Sequence, residues 1–376
     1  MSQPKVAIVC DWLTGIGGAE RVVLELHKMY PEAPIFTSQY DPSKIDWFKD
    51  ADVRTGWLQK LPAGLKKFLP VLRARYFSRL DLSDYDLVLS SSGAEAKGVK
   101  TGPKTVHISY IHSPTHYYWI RYDEYLAHPG FPRGLNWLAR LGLKALVGPL
   151  RNWDKHAAQQ PNFLIANSTH TQAMIKKHYG RESTVIFPPV DLERLKTTDH
   201  TLHVSDRHGF LAVGRQTPYK RIDLAVAACS ELKVPLVVIG NGPEHQKLVK
   251  MAGRSVTFLT NASDEDVISH MRTAEGFLFP TNVEDFGVTA VEAMAAGTPV
   301  IAYNQGGPLD YVVPGKTGAF FDKQTVASLS AAISHFDPAK FNHAEIEKFA
   351  EQFSTSSFMQ KMKDYIAECL KSNSLN

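Results

Sequence analysis

Short apolar runs rich in Val, Ile and Leu alternate along the chain with stretches of helical period. Continuous apolar runs are typical of parallel strands, because such strands are buried on both faces. Strands that alternate with helices predict βαβ units and doubly wound parallel sheets, so the expected fold class is α/β. The predicted strands are Lys5–Cys10, Ile35–Ser38, Leu87–Ser91, Val106–Ile111, Phe163–Asn167, Thr184–Phe187, Phe210–Val213, Leu236–Ile239, Val256–Leu259, Gly276–Phe279 and Val300–Tyr303.

The predicted strands fall into two series, and a polar stretch over residues 196–208 separates them. We interpret this stretch as a linker between a domain over residues 1–195 and a second domain over residues 209–350. Ligands of such sheets bind beyond the carboxyl ends of the strands, so two sheets predict a site in a cleft between the domains. Residues 351–376 are predicted to be helical, with one apolar face that can pack back on the first domain.

Composition narrows the class of protein. The chain has 376 residues, of which 44% are hydrophobic and 21% charged, as expected for a two-domain globular protein. The three cysteines are far apart, which favours a reducing compartment without a disulfide framework. We see no secretory signal pattern, no membrane-spanning run and no zinc-ligand spacing, and the net charge of +4 does not argue for nucleic acid. The expected location is cytoplasmic.

A glycine cluster follows the first predicted strand, in "GIGGAERVV". Gly17 and Gly18 lead into a helix predicted from about Ala19, and free amides at a helix start attract anions. The alternative is a plain turn between a strand and a helix. The spacing is not the G-x-G-x-x-G pattern of dinucleotide-binding domains, so NAD is disfavoured.

Two cations follow the first strand of the second domain, in "VGRQTPYKRID". Arg215 offers a planar guanidinium and Lys220 a point charge, and both suit phosphate oxygens. Their position at the carboxyl end of a strand favours an anion site over the alternative, a solvated basic turn.

Two carboxylates lie eight positions apart in "NVEDFGVTAVEAMAAGTPVIA". Glu284 precedes a predicted helix that begins at Gly287 and Val288, and Glu292 lies inside it. A carboxylate accepts hydrogen bonds from two hydroxyl groups at once, which suits the diols of sugars. The alternative is that acids near a helix start only favour the helix dipole, and this explains Glu284 better than Glu292.

His112 ends a predicted strand of the first domain, in "HISYIHSPTHYYW". Pro114 blocks a regular helix after it, so His112 and His116 are not an i,i+4 metal pair. His112 is either a functional group at the predicted cleft or a structural histidine of a loop.

Residues 58–80 carry a leucine stripe at helical spacing, and basic residues fill the other positions with no acid between them. Pro62 and Pro70 divide the segment into two predicted short helices. A basic amphipathic pair can lie on an anionic membrane surface. The alternative is that the leucines pack on the core and the cations face solvent.

Taken together, these residues resemble retaining glycosyltransferases of family 4 with the GT-B fold, over nearly the whole chain. The bacterial branch that adds mannose from GDP-mannose to lipid-linked or surface polysaccharides is the most similar. Thr115-His116 departs from that branch's usual sequence. The segments that carry the resemblance are "GGAERV", "IHSP", "IANS", "VGR…K", "EDFG" within E-x7-E, "EAMAAGTPVIA", "SSSGAEAKGV" and "VIFPPVD".

The resemblance implies a role for each candidate residue. Arg215 and Lys220 would hold the donor diphosphate, and Glu284 would bind the transferred sugar with help from the amides of Phe286, Gly287 and Val288. Glu292 would bind the ribose diol, and the segment around Thr260 would flank the base. In the first domain, the acceptor-binding one, His112 would lie against the sugar, and Gly17 and Gly18 would pass close to the donor phosphates. These implied assignments rest on the segments quoted above.

The implied reaction needs neither a metal nor another cofactor. Cations would stabilise the leaving diphosphate, which would take the proton of the acceptor and leave from the face that the acceptor attacks. The implied partners are a nucleotide sugar, a lipid-linked or glycan acceptor and the inner face of the plasma membrane. Three alternatives stay open: another donor such as UDP-glucose or UDP-GlcNAc, a nucleotide-sugar epimerase, and a non-catalytic nucleotide-sugar-binding protein.

Overall fold

The structure is a computed structural model and describes residues 4–61, 69–127, 134, 136–195 and 207–374. The chain forms two compact units, Met1–Pro189 with Phe358–Asn376 and Val190–Ser357. The second unit thus begins earlier than the predicted boundary at residue 195. The reason is that the Val190 amide donates to the Phe353 carbonyl at 3.0 Å, which ties this segment to the second unit. Most of the predicted linker, residues 196–206, lies outside the described residues.

The described part of the first unit contains one sheet of seven parallel strands. Their order is β3-β2-β1-β4-β5-β6-β7, so the direction of winding reverses between β1 and β4. The prediction missed β3, an exposed edge strand whose three residues form no apolar run. The strands are β1 (Val6–Cys10), β2 (Ile35–Thr37), β3 (Val53–Thr55), β4 (Leu87–Ser92), β5 (Val106–Ile111), β6 (Phe163–Ala166) and β7 (Thr184–Val185).

Helices cover both faces of this sheet, as the doubly wound prediction requires. Val22, Val23 and Leu26 of the first helix pack on one face, and Phe77 of the second packs on the other. The helices of this part of the chain are α1 (Gly18–Met29), α2 (Pro70–Phe77), α3 (Tyr122–Ala127), α4 (Asn136–Ala157) and α5 (Thr169–Tyr179).

Within residues 58–80, most of the described apolar side chains are buried or half-buried, and Val71 is exposed. Leu58, Leu69 and Phe77 are buried, and α2 begins at Pro70 as predicted. Arg73 is also buried, which corrects its assignment to a basic surface, because its guanidinium is paired with Glu95. Pro62, Lys66 and Lys67 lie outside the described residues. The described part of the segment therefore fits core packing, with exposed cations at Lys60, Arg75 and Arg79.

The second unit repeats the doubly wound arrangement in a sheet of six parallel strands among its described residues. Their order is β10-β9-β8-β11-β12-β13, and the winding reverses between β8 and β11. The prediction missed β13. The elements are β8 (Phe210–Val213), α6 (Ile222–Leu232), β9 (Leu236–Ile239), α7 (His245–Met251), β10 (Val256–Leu259), α8 (Asp264–Thr273), β11 (Gly276–Phe279), α9 (Val288–Ala295), β12 (Val300–Tyr303), β13 (Gly318–Phe321), α10 (Val326–Ser334) and α11 (His343–Ala350).

The last helix, α12 (Thr355–Ser374), packs on the first unit although it follows the second in sequence. Phe358, Met362, Ile366 and Cys369 are buried in the core that β1 and α1 share. The structure thus places this apolar face as the sequence pattern predicts. The predicted α/β class with two Rossmann-like doubly wound domains is confirmed, and the predicted cleft between them stays a prediction.

Candidate functional site

Arg215, Lys220 and Glu284 follow the two strands at which the second sheet reverses its winding. Arg215 and Lys220 come after β8, and Glu284 comes after β11, the neighbour of β8. In doubly wound sheets the crevice at this switch point is where ligands bind, because the loops on its two sides run in opposite directions. The fold therefore brings these three sequence-predicted residues to one edge of one sheet.

Close backbone contacts hold the loop that carries Arg215. Gly214 has φ 151°, and a Cβ atom on Gly240 would lie 2.3 Å from the Gly214 carbonyl oxygen. The buried Gln216 amide nitrogen Nε2 donates to the Gly240 carbonyl at 2.7 Å. The loops after β8 and β9 are thus packed backbone to backbone. These glycines permit an approach that a side chain would block.

The three charged side chains differ in their pairing. Lys220 Nζ lies 2.5 Å from Glu284 Oε2, and the two side chains are only 18% and 17% exposed. The Lys220 ammonium also lies over the Phe279 ring, 5.5 Å from its centre. The Arg215 guanidinium is exposed and forms no ion pair with any residue that the structure describes. One cation is thus held against the carboxylate while the other is open to an anion.

The Glu284 loop is packed against a second glycine pair that the sequence reasoning missed. The Gly307 amide donates to the Glu284 carbonyl at 2.7 Å. Gly306 has φ 80°, and a Cβ atom there would lie 2.5 Å from the same carbonyl oxygen. A Gly-Gly dipeptide after a strand is typical of a tight turn, so the sequence could have indicated this close contact.

The residues between the two glutamates form the start of α9. Phe286 is buried, and its carbonyl accepts a hydrogen bond from the Tyr311 hydroxyl at 2.9 Å. Gly287 is the N-cap of α9 with φ 97°, and α9 begins at Val288 as predicted. The Phe286 side chain belongs to the core, so only its backbone can serve a ligand.

Glu292 is buried in α9 and is held by a residue that the sequence reasoning missed. Arg194 Nη2 lies 2.5 Å from Glu292 Oε1, and Arg194 Nη1 lies 3.8 Å from Asp264 Oδ1. A buried carboxylate needs a compensating cation, because burial strips it of water. Arg194 lies in a 3-10 turn over Glu193–Leu195. In the sequence, the feature that could have pointed to Arg194 is its position as a cation just after the last predicted strand of the first domain.

Thr260 follows β10 and is half-buried. The loop leads into α8, whose N-cap is Ser263. Ser263 and Asp266 form a reciprocal capping box that fixes where the helix starts. Thr260 thus lies at the same edge of the sheet as Arg215 and Glu284.

The first unit has a cavity of about 230 Å³ at its own switch point, beyond the ends of β1, β4 and β5. His112 lines it, and His112 Nε2 lies 2.7 Å from Ser91 Oγ. The His112 amide donates to the Ser92 carbonyl at 2.9 Å. The other lining residues are Cys10, Asp11, Trp12, Ala19, Glu20, Val23, Ser91, Gly93, His116, Tyr117 and Tyr125.

Asp11 in the wall of this cavity was not predicted from the sequence. Its carboxylate accepts hydrogen bonds from the amides of Gly93, Ala94 and Ala96 at 2.8, 3.0 and 2.7 Å. Burial raises the pKa of Asp11 to about 6, and the charge of Glu95 adds to the rise. Asp11 therefore holds the loop after β4 in place beneath His112.

Gly17 and Gly18 form the start of α1, one residue earlier than predicted. Gly17 is the N-cap in an extended conformation, and Gly18 is the first helical residue. A Cβ atom on Gly17 would lie 2.9 Å from Glu20 Oε2. The extended backbone of Gly17 does not require a glycine, and the flexible Glu20 side chain could move away from a Cβ atom there.

Two buried ion pairs lie near this cavity, and one of them is hydrogen-bonded to its lining residue Tyr117. Arg73 Nε donates to Glu95 at 2.8 Å, and Glu95 also accepts from the Tyr117 hydroxyl at 2.5 Å. Lys97 Nζ lies 2.7 Å from Asp154 Oδ1. Both pairs are almost fully buried, so removing one partner would leave an uncompensated charge.

Sequence comparisons assign both halves of the chain. The family described as Glycosyltransferase Family 4 matches residues 16–194, and the one described as Glycosyl transferases group 1 matches residues 195–340. Two doubly wound parallel domains with these matches make the chain a glycosyltransferase of the GT-B fold.

Three similar proteins illustrate the match. The α-1,3/1,6-mannosyltransferase ALG2 of Mus musculus is 24% identical over 94% of this chain and 94% of that protein. The D-inositol 3-phosphate glycosyltransferase of Mycolicibacterium smegmatis is 30% identical, but over 57% of this chain and 56% of that protein. The crystal structure of HepE from Anabaena in complex with UDP has a TM-score of 0.69 at 18% identity, and the match covers 96% of this chain and 100% of that one.

Proposed function

We propose that the protein is a retaining mannosyltransferase that transfers mannose from GDP-mannose to a lipid-linked or polysaccharide acceptor. The observation that carries the donor half of the proposal is the Lys220–Glu284 pair, 2.5 Å apart at the switch point of the second sheet, with the Arg215 guanidinium open beside it. A cation pair for a diphosphate and a carboxylate for a sugar meet there.

The donor would exchange the Lys220–Glu284 contact for two contacts of its own. Lys220 and Arg215 bind the diphosphate, while Glu284 is released to accept hydrogen bonds from hydroxyls of the transferred sugar. Because both side chains of the pair are partly shielded from water, this exchange retains strong electrostatic interactions. The amides of Phe286, Gly287 and Val288 at the start of α9 add donors, without a contribution from the buried Phe286 ring.

The nucleoside binds farther along the same sheet edge in this proposal. Glu292 accepts hydrogen bonds from the ribose diol, and Arg194 holds its buried carboxylate in place. The loop around Thr260 flanks the base. In the first unit, His112, Gly17 and Gly18 serve the sugar and the acceptor beside the cavity that His112 lines.

The chemistry follows from where charge develops. The bond between the anomeric carbon and the phosphate oxygen breaks toward an oxocarbenium-like state, and negative charge grows on the diphosphate. Arg215 and Lys220 stabilise that charge in place of a metal or another cofactor. The acceptor hydroxyl attacks from the face that the diphosphate leaves, its proton passes to the leaving phosphate oxygen, and the configuration is retained.

The similar proteins support this proposal unequally. The mouse relative that matches nearly the full chain is named a mannosyltransferase, which supports mannose. The HepE structure was solved with UDP, so UDP-glucose and UDP-GlcNAc are the donors to compare with GDP-mannose. Lipid-linked and polysaccharide acceptors rest on the sequence resemblance.

A panel of nucleotide sugars tests the donor by thermal shift and by product analysis. A donor at about 100 times its Kd adds about 2.7 kcal/mol of stability, so GDP-mannose should raise the Tm more than UDP-glucose or UDP-GlcNAc. The larger shift with a UDP-sugar would overturn the donor assignment. Conversion of the donor sugar without any acceptor would identify an epimerase. Binding without turnover on lipid-linked or glycan acceptors would identify a non-catalytic protein.

A further inference from the structure

The first half of α4 presents an apolar face to the outside. The exposed fractions are 61% for Trp137, 48% for Leu138 and 62% for Leu141. In the second half of the helix, Val147 and Leu150 are buried on the opposite side. A surface helix of a globular protein normally has charged and polar residues on its outer face, so this outer face needs a partner.

The outward residues form one continuous strip. Trp137, Leu138, Leu141 and Ala145 follow the i, i+1, i+4, i+8 spacing that places side chains on one side of a helix. Gly148 continues this strip, and a Cβ atom there would meet nothing within 4 Å. Leu146 is 45% exposed at the edge of the strip. The strip is too apolar to be explained by scattered surface residues alone.

The exposed charges of α4 beside the strip are basic. The neighbouring α3, whose Leu126 and Ala127 carbonyls accept hydrogen bonds from Arg140, carries the acids Asp123 and Glu124. Residues 136–153 contain no Asp or Glu, and Arg140 and Lys144 are exposed. The neighbouring α2 also lacks an acidic residue, and its Arg75 and the nearby Arg79 are exposed. The two helices are joined directly, since Trp153 Nε1 donates to Ser78 Oγ at 2.9 Å. An apolar strip with exposed cations on its own helix, where the one acid, Asp154, is buried, is complementary to an anionic lipid surface.

We propose that this face of α4 docks the protein on an anionic lipid bilayer. Trp137, Leu138 and Leu141 enter the boundary between headgroups and acyl chains, while Arg140 and Lys144 contact the anionic headgroups. Among the described residues, no helix is long and apolar enough to cross a membrane, so α4 lies on the surface in this proposal. Among the described leucines of residues 58–80, Leu58 and Leu69 are buried and none is exposed, so the proposed lipid contact lies on α4 instead. It does not depend on the proposed donor.

Vesicle sedimentation tests this surface. The full chain is mixed with phosphatidylcholine vesicles that contain either no anionic lipid or about 30% phosphatidylglycerol, a fraction high enough to give a negative surface potential. We expect binding to the anionic vesicles and at least about tenfold weaker binding to the neutral ones. Trp137→Ser combined with Leu141→Ser should weaken binding to anionic vesicles at least about tenfold, because it removes two inserted side chains. Lys144→Glu should weaken binding to anionic vesicles by a smaller factor. The binding that this variant retains should depend less on salt concentration.

The control is Val249→Ser combined with Met251→Ser, which changes two exposed apolar residues of the second unit. Its vesicle binding should equal that of the unchanged chain. Circular dichroism and thermal unfolding of every variant identify any that fails to fold, and Lys144→Glu alone then decides the charge part. Vesicle binding that is unchanged in the Trp137/Leu141 variant would overturn the proposal. So would a wild-type dimer that this variant converts to a monomer without loss of vesicle binding, since the strip would then join two copies of the chain.

Discussion

Arg194 and Glu292 are 98 positions apart in the chain, yet Arg194 Nη2 lies 2.5 Å from Glu292 Oε1 in the second unit. The pair joins the turn just after the start of this unit to the second turn of α9. The Glu292 side chain is 7% exposed and that of Arg194 is 23% exposed. The carboxylate is therefore the group that depends on its partner.

Arg194→Met should destabilise the protein, because it leaves the buried Glu292 without its cation. We expect a loss of about 1–3 kcal/mol, below the 3–5 kcal/mol typical of a fully buried pair because Arg194 is partly exposed. Urea denaturation of the single variants, and of Arg194→Met with Glu292→Gln, measures the coupling. The double variant should recover part of the loss, and Arg254→Met on the exposed surface is the control. Additive effects of the two changes would contradict the pairing.

Removing the Arg194 guanidinium should also weaken donor binding. If Arg194 orients Glu292 toward the ribose, Arg194→Lys should keep more donor affinity than Arg194→Met. A matched comparison of GDP-mannose with its 2′-deoxyribose analogue isolates the ribose contact. The unchanged protein should prefer the normal donor, and the Met variant should lose most of that preference. A preference that persists in the Met variant would show that Arg194 supports the fold alone.

Lys220→Ala should lower turnover far more than it lowers stability. The lysine is proposed to stabilise charge on the leaving diphosphate, and loss of one such group typically costs about 10²–10³ in kcat. The stability change should be about 1–2 kcal/mol, above that of a surface pair because the side chains of Lys220 and Glu284 are only 18% and 17% exposed. Initial rates measure the turnover of the variant, and urea unfolding measures its stability. Lys316→Ala, an exposed lysine of the same unit, is the control, and turnover of Lys220→Ala equal to that of the control would remove Lys220 from the proposed site.

Gly287→Ala should destabilise the second unit through two separable effects. The left-handed φ of 97° costs about 1–2 kcal/mol for a residue with a Cβ atom. That Cβ atom would also lie 2.6 Å from the Tyr311 hydroxyl and 2.8 Å from the Phe279 ring, which adds about 1–3 kcal/mol of overpacking. Gly315→Ala is the matched control, because Gly315 has φ 74° and open space around it. Denaturation midpoints that drop equally in both variants would refute the steric part.

Asp11 should make stability depend on pH in a predictable direction. Its pKa rises from its ordinary value of 3.8 to about 6, chiefly because it is buried. The folded chain then binds the proton more tightly than the unfolded chain. The stability that Asp11 contributes is therefore complete below about pH 4 and is lost as the pH rises through about 6, by up to about 3 kcal/mol.

Asp11→Asn removes this titration and tests it. The stability of the unchanged chain relative to the Asn variant should fall as the pH rises from about 4 to about 7, measured by urea unfolding at each pH. Asn also places a donor where Asp11 accepts three backbone amides, so the variant should be the less stable one at pH 4. Asp50→Asn on the exposed surface is the control. A constant difference across this pH range would contradict the raised pKa.

Local patterns carried most of the fold prediction. The apolar runs located eleven strands of the two sheets to within a few residues, since a buried parallel strand is apolar along its length. The prediction missed the strands β3 and β13. β3 is an edge strand with exposed residues, and β13 is an edge strand whose two middle residues are only half-buried. Such strands exist because a neighbouring strand pairs with them, and pairing between distant segments leaves no periodic mark in the sequence.

What the sequence by itself determined is the order of most strands and helices, the doubly wound class and the position of Arg215, Lys220 and Glu284 just after strands. These follow from near neighbours in the chain: the period of apolar residues and the position of a charge after a strand. What only the tertiary structure decided is which charges meet and which are buried. Arg73 pairs with Glu95, Arg194 with Glu292 and Lys220 with Glu284, each across a long stretch of chain. The environment of a charge depends on packing between remote segments, so its partner and its pKa emerge only once the chain has folded.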